Sequence, residues 1–339
     1  MSLHPPSLSI TLEAALRDVA GGTDKARTLA AHALGDVTDA TERRRAAEVL
    51  VRAARDPRPE VRTEVAISLG ELEQAAAIPA LVDLLDDGVP VVRQAAAIAL
   101  GKLGLSDGFA PLADKLRTGP PDLRFQAATS LVEIDAEAAF DPLLASLSDD
   151  DPEVLGAAAI ALGACGDPRA AGHLAGLLEH KRARTRFDAA YALAELDDTR
   201  GRQVLVAALA DGELQWDAID ALERLADDAA ADALAGLVAP RRRATLVHVR
   251  AADALLSVAP EHGSAAGART LLASATTARK LEVAGLAVAA LGRAGGDWAR
   301  QALEAARATR RGRRLADEID RALADLAEPV QEPVAEPSP

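Results

Sequence analysis

The stretch VRQAAAIALG at residues 92–101 recurs along the chain at a fixed spacing and decides the fold. It returns at residues 61–70 and, in degraded form, at 123–131, 154–163 and 185–193. The last leucine of each copy serves as a marker, and successive markers lie 31 residues apart: Leu69, Leu100, Leu131, Leu162 and Leu193. A fixed period of this kind predicts a tandem array of repeats.

Markers also continue on both sides of this regular block, but with looser spacing. They are Leu34 before it and Leu222, Leu255, Leu291 and Leu323 after it, at gaps of 35, 29, 33, 36 and 32 residues. We therefore predict ten repeats in one domain over residues 1–326, with regular 31-residue units over about 41–198.

Each repeat has the pattern of two helices joined by a turn. In the third repeat, Gly88 and Pro90 separate two apolar stripes at helical spacing: Ile78, Leu81, Val82 and Leu85, then Val92, Ala96, Ala99 and Leu103. Hydrophobic residues make up 49% of the chain and aromatic residues only 2%, so the apolar content is mostly Ala, Leu and Val. Because Ala and Leu are strong helix formers, this composition predicts an all-α protein.

Charge and cysteine content narrow the function classes. A net charge of −14 argues against general binding to nucleic acid or anionic membranes, since both require a basic surface. No apolar run approaches the roughly 18–20 residues that span a bilayer, and residues 1–10 lack the pattern of a signal peptide. With Cys165 as the single cysteine, these features predict a cytoplasmic protein without membrane insertion.

The string DDGVPVVRQAAAIALGKLG at residues 86–104 resembles a HEAT-like repeat, of the short bacterial type also found in phycobilin lyases. The resemblance extends from about Leu12 to Leu326. It implies an α-solenoid of about ten two-helix repeats wound into a right-handed superhelix. Function does not follow from it, because such repeats serve scaffolds, regulators and a few enzymes.

The resemblance also implies a ladder of ion pairs along the inter-helix turns. In HEAT-like arrays an acidic turn residue pairs with the arginine that opens the second helix. Residues of the right type stand in these columns as Asp56/Arg62 and Asp87/Arg93, and Arg124 and Arg186 open later helices. The pattern departs from the family at Thr118, Leu155 and His180, so we expect an interrupted, structural ladder.

No constellation of residues predicts catalysis, a metal site or a cofactor. The chain lacks a Walker loop, HExxH, CxxC and GxSxG. His173 and His180 lie two helical turns apart with Glu179 nearby, but polar turn residues explain them better than a metal site does. Cys165 stands at a helix end where another repeat has Leu103, which favours a core thiol over a nucleophile.

The few aromatic residues form a column. Phe125, Phe187 and Trp216 each lie six residues before a marker leucine, and Tyr191 follows Phe187 by one helical turn. On the inner face of the solenoid they would anchor a partner; the alternative is that they fill space between Ala-rich repeats. We predict these four residues as candidate partner contacts and leave the packing alternative open.

The inter-helix turns change from acidic to basic along the chain. Asp86–Asp87 and Asp149–Asp151 stand in early turns, while later turns carry cations and only Asp211 interrupts them. We predict a basic edge suited to an acidic protein, a phosphorylated segment or nucleic-acid phosphates, with solvated turns as the alternative. Its predicted contacts are Lys181, Arg182, Arg184, Arg241, Arg242, Arg243, Arg310, Arg311, Arg313 and Arg314, with Arg279 and Lys280 in the turn before the last.

Residues 327–339, AEPVQEPVAEPSP, alternate Pro, Glu and small residues. This composition cannot bury a core and predicts a disordered, extended tail.

The leading functional prediction is a cytoplasmic, non-enzymatic scaffold or adaptor that binds a protein partner on its concave face or along the basic edge. One alternative, a phycobilin-lyase-like enzyme or enzyme subunit, comes from the resemblance alone, and no reactive residue matches that role. A second is a nucleic-acid-binding protein, by analogy with HEAT-like DNA glycosylases, although the net charge of −14 weighs against it.

Overall fold

The fold is an all-α solenoid, described by a computed structural model over residues 11–238 and 244–326. The described residues form twenty α-helices and no strand. Their internal contacts divide the chain into an N-terminal module, residues 1–192, and a C-terminal module, residues 193–339. The sequence predicted one domain over residues 1–326, and the boundary between the two modules falls inside a helix.

The N-terminal module contains six helix pairs, in which odd-numbered helices are the first of each repeat and even-numbered helices the second. In chain order they are α1 (Leu12–Gly21), α2 (Asp24–Gly35), α3 (Ala40–Ala53), α4 (Pro59–Glu71), α5 (Ile78–Leu84), α6 (Pro90–Leu103), α7 (Phe109–Thr118), α8 (Pro121–Ile134), α9 (Ala136–Ser146), α10 (Pro152–Ala164), α11 (Ala170–Gly176) and α12 (Ala183–Glu195), the last of which enters the C-terminal module.

The C-terminal module continues the same alternation with four pairs. These are α13 (Arg202–Ala208), α14 (Gln215–Leu225), α15 (Asp228–Leu237), α16 (Leu246–Val258), α17 (Ala265–Ala275), α18 (Leu281–Ala294), α19 (Gly296–Ala308) and α20 (Ala316–Asp325). Short 3-10 turns occur at Ala75–Ala77, Ser106–Gly108, Leu177–Glu179, Thr199–Gly201 and Gly312–Leu315.

All ten marker leucines lie in second helices, as the repeat pattern predicts. Nine of them, from Leu34 to Leu291, are fully buried, and Leu323 in the last helix is half-buried. Four second helices of the regular block begin at prolines 31 residues apart: Pro59, Pro90, Pro121 and Pro152. Proline suits the first position of a helix, where its missing N–H is not needed and its φ is already helical.

Small residues let adjacent second helices of the N-terminal module approach closely. In several second helices a glycine directly follows the marker leucine. It packs against the residue that directly precedes the marker leucine of the next second helix, and the space between them is too small for a Cβ atom. A Cβ on Gly163 would lie 2.8 Å from Ala192 Cα, and one on Gly70 would lie 3.0 Å from Ala99 Cα. The second helices of this module therefore form a tightly packed layer.

Candidate protein-interaction surfaces

The turns of the N-terminal module carry a ladder of arginine–aspartate pairs, but the pairs connect neighbouring repeats. The guanidinium of Arg62 donates through Nη1 to the backbone carbonyl of Asp56 in its own turn, at 2.8 Å. Its Nε and Nη2 donate to the carboxylate of Asp87 in the next repeat, at 2.6 and 2.8 Å. The ion pair expected within one repeat is thus replaced by a carbonyl contact there and a bidentate pair with the following turn.

Three more pairs of this kind are Arg27–Asp56, Arg93–Asp122 and Arg124–Asp149, at 2.6, 2.9 and 2.7 Å. Asp122 supplies the carboxylate where Thr118 interrupts the acidic column. The next pair would join positions 155 and 180, which hold Leu155 and His180. Hydrogen bonds from Arg62 lower the pKa of Asp87 below its ordinary value, although burial opposes the shift. The Arg62–Asp87 pair therefore stays charged at neutral pH and links the two turns.

A row of exposed apolar side chains lies on the second helices of the N-terminal module. Of seven exposed large hydrophobic residues in the described chain, five belong to this row and are 40–51% exposed: Leu29, Ile67, Val91, Ile98 and Phe125. They stand nine, six, five or two residues before the marker leucine of their repeat, and this spacing places them on one helix face. We call this set the apolar row.

The middle of the apolar row forms a shallow groove between α4 and α6. Ile67, Val91 and Ile98 line it, and its volume is about 290 Å³. At one end the Lys102 ammonium pairs with the Glu71 carboxylate at 2.5 Å. The groove is therefore an apolar depression bounded by charge, a pattern typical of the centre and rim of a protein interface.

The four predicted aromatic contacts do not share one surface. Phe125 is exposed and belongs to the apolar row, whereas Phe187 is 3% exposed and packs in the core of the N-terminal module. Tyr191 is half-buried, with its ring 6.3 Å from that of Phe187. Trp216 is half-buried in the C-terminal module. For Phe187, the structure therefore shows the packing alternative rather than an exposed contact.

The predicted basic contacts fall into three groups. Lys181, Arg182 and Arg184 are exposed in the N-terminal module, where the Arg184 guanidinium pairs with the Asp188 carboxylate at 2.8 Å. Arg241, Arg242 and Arg243 lie outside the described residues. The remaining four are exposed in the last turn of the C-terminal module: Arg310, Arg311, Arg313 and Arg314.

Ion pairs occupy the second helices of the C-terminal module. The Arg250 guanidinium pairs with the carboxylates of Asp220, Glu223 and Asp253, and Asp253 also pairs with Arg293 at 2.6 Å. Burial works against the charged form of Arg250, but the hydrogen bond to Glu223 and the nearby carboxylates raise its pKa. Asp220 and Asp253 stand two residues before their markers, at the position that Ile67 and Ile98 occupy in the N-terminal module.

The described residues show neither a group of three or more His, Cys, Asp or Glu placed to hold a metal ion nor a helix long and apolar enough to cross a membrane. The Cys165 thiol is half-buried, and burial raises its pKa to about 11. It therefore remains protonated near neutral pH and is a poor nucleophile.

Comparisons with known proteins identify the repeats. HEAT repeats match residues 11–104 and 109–194, and a PBS lyase HEAT-like repeat matches residues 185–211. No curated protein matches the chain by sequence.

Solved structures of similar fold include importin beta, at 13% identity over 93% of this chain and 52% of that chain, with a TM-score of 0.51. An engineered protein matches at 21% identity over 94% and 99% of the two chains, with a TM-score of 0.41. The CpcE–CpcF complex of phycocyanin lyase from Nostoc matches at 23% identity over 81% and 98%, with a TM-score of 0.40.

At these identities the likeness to solved structures concerns the fold alone. The two HEAT-repeat matches together cover more than half of the 339 residues. The resemblance drawn from the sequence is thereby confirmed, including its link to the lyase type of repeat. The chain belongs to the HEAT-repeat family.

Proposed function

We propose that this protein is a cytoplasmic interaction scaffold whose N-terminal module binds a protein partner on the apolar row. The observation that carries the proposal is the concentration of exposed large hydrophobic side chains on one face of α2, α4, α6 and α8. Single exposed hydrophobic residues need no explanation, but Ile67, Val91 and Ile98 line one depression, and such a cluster of apolar side chains marks a contact site.

The groove between α4 and α6 suits the side chains of a partner. Aliphatic or aromatic groups that enter between Ile67 and Ile98 would displace water from both walls, and this burial is favourable in proportion to apolar area. The Glu71–Lys102 pair at the end of the groove offers a donor and an acceptor to the partner's polar groups. We therefore expect a partner that presents a short apolar stripe flanked by polar residues.

Binding, rather than catalysis, is the activity that these surfaces support. The exposed side chains of the apolar row are suited to packing, and the thiol of Cys165 is held in its protonated form. Of the alternatives from the sequence, a lyase-like activity would need a reactive group at a surface, and nucleic-acid binding would need a basic groove. The second-helix face of the N-terminal module offers an apolar one.

The test substitutes two residues that line the groove. Ile67→Ser/Ile98→Ser removes two side chains that are about half buried, so we expect it to lower the free energy of unfolding by about 1.5–3 kcal/mol. Val206→Ser/Leu281→Ser, at the two exposed large hydrophobic residues of the described C-terminal module, is the matched control. Tagged wild type and both variants are used for quantitative affinity purification from native lysate.

We expect the wild type and the control to retain the same partner in stoichiometric amount. The groove variant should retain at least about tenfold less, which corresponds to a loss of about 1.4 kcal/mol in binding. Equal recovery by the groove variant and the wild type would refute the apolar row as the site. Failure of the wild type to retain any stoichiometric partner would refute the scaffold itself.

A further inference from the structure

Two adjacent turns of the C-terminal module bring six cationic side chains together. Arg279 and Lys280 lie between α17 and α18, and four arginines lie between α19 and α20. The guanidinium of Arg311 donates to the carbonyl of Thr277 at 3.3 Å, and that of Arg314 donates to the carbonyl of Arg279 at 3.5 Å. These bonds hold the last turn against the one before it. We call the set the basic turns: Arg279, Lys280, Arg310, Arg311, Arg313 and Arg314.

These cations lack acidic partners in the described part of the chain. All six are exposed, and none forms an ion pair with a carboxylate of residues 11–238 or 244–326. Three carboxylates begin the helices that follow, Glu282 in α18 and Asp317 and Glu318 in α20, where they favour the helix N-termini. Six cations against three carboxylates leave the basic turns with excess positive charge in a protein of net charge −14. Their mutual repulsion favours a negatively charged ligand.

The chain itself provides a segment of complementary charge close by. Residues 327–339 contain Glu328, Glu332 and Glu336 and no Lys or Arg. The segment follows Leu326, whose carbonyl accepts a hydrogen bond from Arg300 Nη2 at 2.7 Å, near the start of α19. The basic turns lie at the other end of the α19–α20 pair, about 15 Å away along a ten-residue helix. Thirteen extended residues can reach about 40 Å, so the distance is easily spanned.

The spacing of the glutamates also fits the spacing of the turns. The proline-rich composition predicts an extended segment with a rise of about 3.1 Å per residue, which places Glu332 and Glu336 about 12 Å apart. Corresponding turns of neighbouring repeats follow the distance between packed helices, about 8–10 Å. One glutamate can therefore face each turn.

We propose that the acidic segment 327–339 docks on the basic turns of its own chain. The contact is electrostatic, and the short connection to Leu326 raises the effective concentration of the segment at the turns to the order of millimolar. The basic turns share no residue with the site proposed for the scaffold partner, which belongs to the N-terminal module.

Carbodiimide cross-linking tests the contact in the full chain, because it joins a carboxylate to an amine only when the two are in contact. Lys280 is one of five lysines, with Lys25, Lys102, Lys115 and Lys181, and the only one in the basic turns. We expect mass spectrometry to find Glu332 or Glu336 joined mainly to Lys280. In an equal mixture of ¹⁴N and ¹⁵N protein, the cross-link should join segments of one isotope only. At 0.5 M NaCl, where the Debye length is about 4 Å, it should largely disappear.

A charge variant that keeps Lys280 gives the decisive comparison. Arg310→Gln/Arg311→Gln/Arg313→Gln/Arg314→Gln should lower the yield of the Lys280 cross-link about tenfold, equivalent to about 1.4 kcal/mol and to the loss of two or three exposed ion pairs. The control changes four well-exposed arginines of the N-terminal module by the same charge, Arg17, Arg44, Arg55 and Arg117 to Gln, and should leave the yield unchanged.

The proposal is overturned by any of four results: no cross-link from the segment, equal distribution over the five lysines, linkage between chains of different isotope, or insensitivity to the quadruple substitution. No partner protein is needed for this measurement. Its outcome is therefore independent of whether the apolar row binds one.

Discussion

The two modules use the same helix pairs but place their least exposed paired arginines on different surfaces. In the N-terminal module, arginine–aspartate pairs such as Arg62–Asp87 join the turns, and the middle of the second-helix face stays apolar. In the C-terminal module, pairs such as Arg250–Asp220 and Arg293–Asp253 lie on the second helices, and the last two inter-helix turns stay basic. A charged side chain that is paired within the protein is less available to a ligand, so the two modules leave different surfaces exposed: an apolar one in the N-terminal module and a basic one in the C-terminal module.

The largest expected effect concerns the ion pairs of the C-terminal module. Arg250→Met should lower the free energy of unfolding by about 3 kcal/mol, because Asp220, Glu223 and Asp253 lose a cation that is only 17% exposed. Urea unfolding followed by tryptophan fluorescence reports on this module, since Trp216 and Trp298 both belong to it.

The matched control is Arg224→Met, whose half-exposed pair with Glu195 should contribute no more than about 1 kcal/mol. Adding Glu223→Gln to Arg250→Met should restore part of the stability by removing one repelling carboxylate. If Arg250→Met costs no more than Arg224→Met, the second-helix ion pairs do not stabilise this module.

The next effect concerns the close packing of second helices in the N-terminal module. Gly163→Ala should destabilise the protein by about 1–3 kcal/mol, because its Cβ would lie 2.8 Å from Ala192 Cα and the helices would have to separate. Gly285→Ala in α18 meets nothing within 4 Å and should stabilise by up to about 1 kcal/mol through helix propensity. Urea unfolding by far-UV circular dichroism measures both, and equal effects would contradict the difference in packing.

The smallest effect is the pH dependence of the turn ladder. The pKa of Asp87 is lowered in the folded protein, so below about its ordinary value of 3.8 the unfolded chain binds more protons than the folded one. Stability contributed by this carboxylate is present above that value and is lost as the pH falls through the lower, folded-state pKa. Asp87→Asn should therefore be less stable than the wild type at pH 6, and the difference should shrink towards pH 3.

Urea midpoints between pH 6 and pH 3 measure this convergence. Asp83→Asn serves as a control, because the Asp83 carboxylate is exposed and lies 3.6 Å from an exposed Arg55. A constant difference between Asp87→Asn and the wild type across the range would show that the ladder does not carry the pH dependence.

The helical layout could be predicted from the sequence because the marker leucines are both periodic and buried. Every marker lies in a second helix, including those of the irregular repeats after Leu193. The exposure of Ile67 and Ile98 could not be predicted in this way, because an isoleucine beside an alanine stripe is expected to be in the core. Their exposure depends on which helix faces the neighbouring repeats cover, and that is decided by tertiary packing.

The prediction that the turn arginines pair within their own repeat was wrong, although the sequence contains a signal for pairs between repeats. Asp and Arg recur six residues apart within a repeat, as Asp56 and Arg62, and 25 residues apart between repeats, as Arg62 and Asp87. Leu155 and His180 depart from the pattern at the 25-residue spacing, whereas Arg186 is retained six residues after His180. Joint loss at the longer spacing indicates partners across the repeat boundary. The aromatic column failed as a single surface for a related reason, since Phe187 fills the core and Phe125 does not.

Because each ladder arginine finds its carboxylate one repeat further on, each repeat inside the ladder supplies an acceptor to its predecessor and a donor to its successor. A duplicated 31-residue block inserted in phase would bring one new aspartate and one new arginine in the right order. Every arginine and aspartate of the ladder would then still have a partner. The same holds for a 31-residue block that begins between the aspartate and the arginine of one turn. An insertion that is not a whole number of such periods would leave one arginine and one aspartate without partners. The ladder thus permits the array to grow by whole periods, and it ends where Leu155 and His180 remove donor and acceptor together.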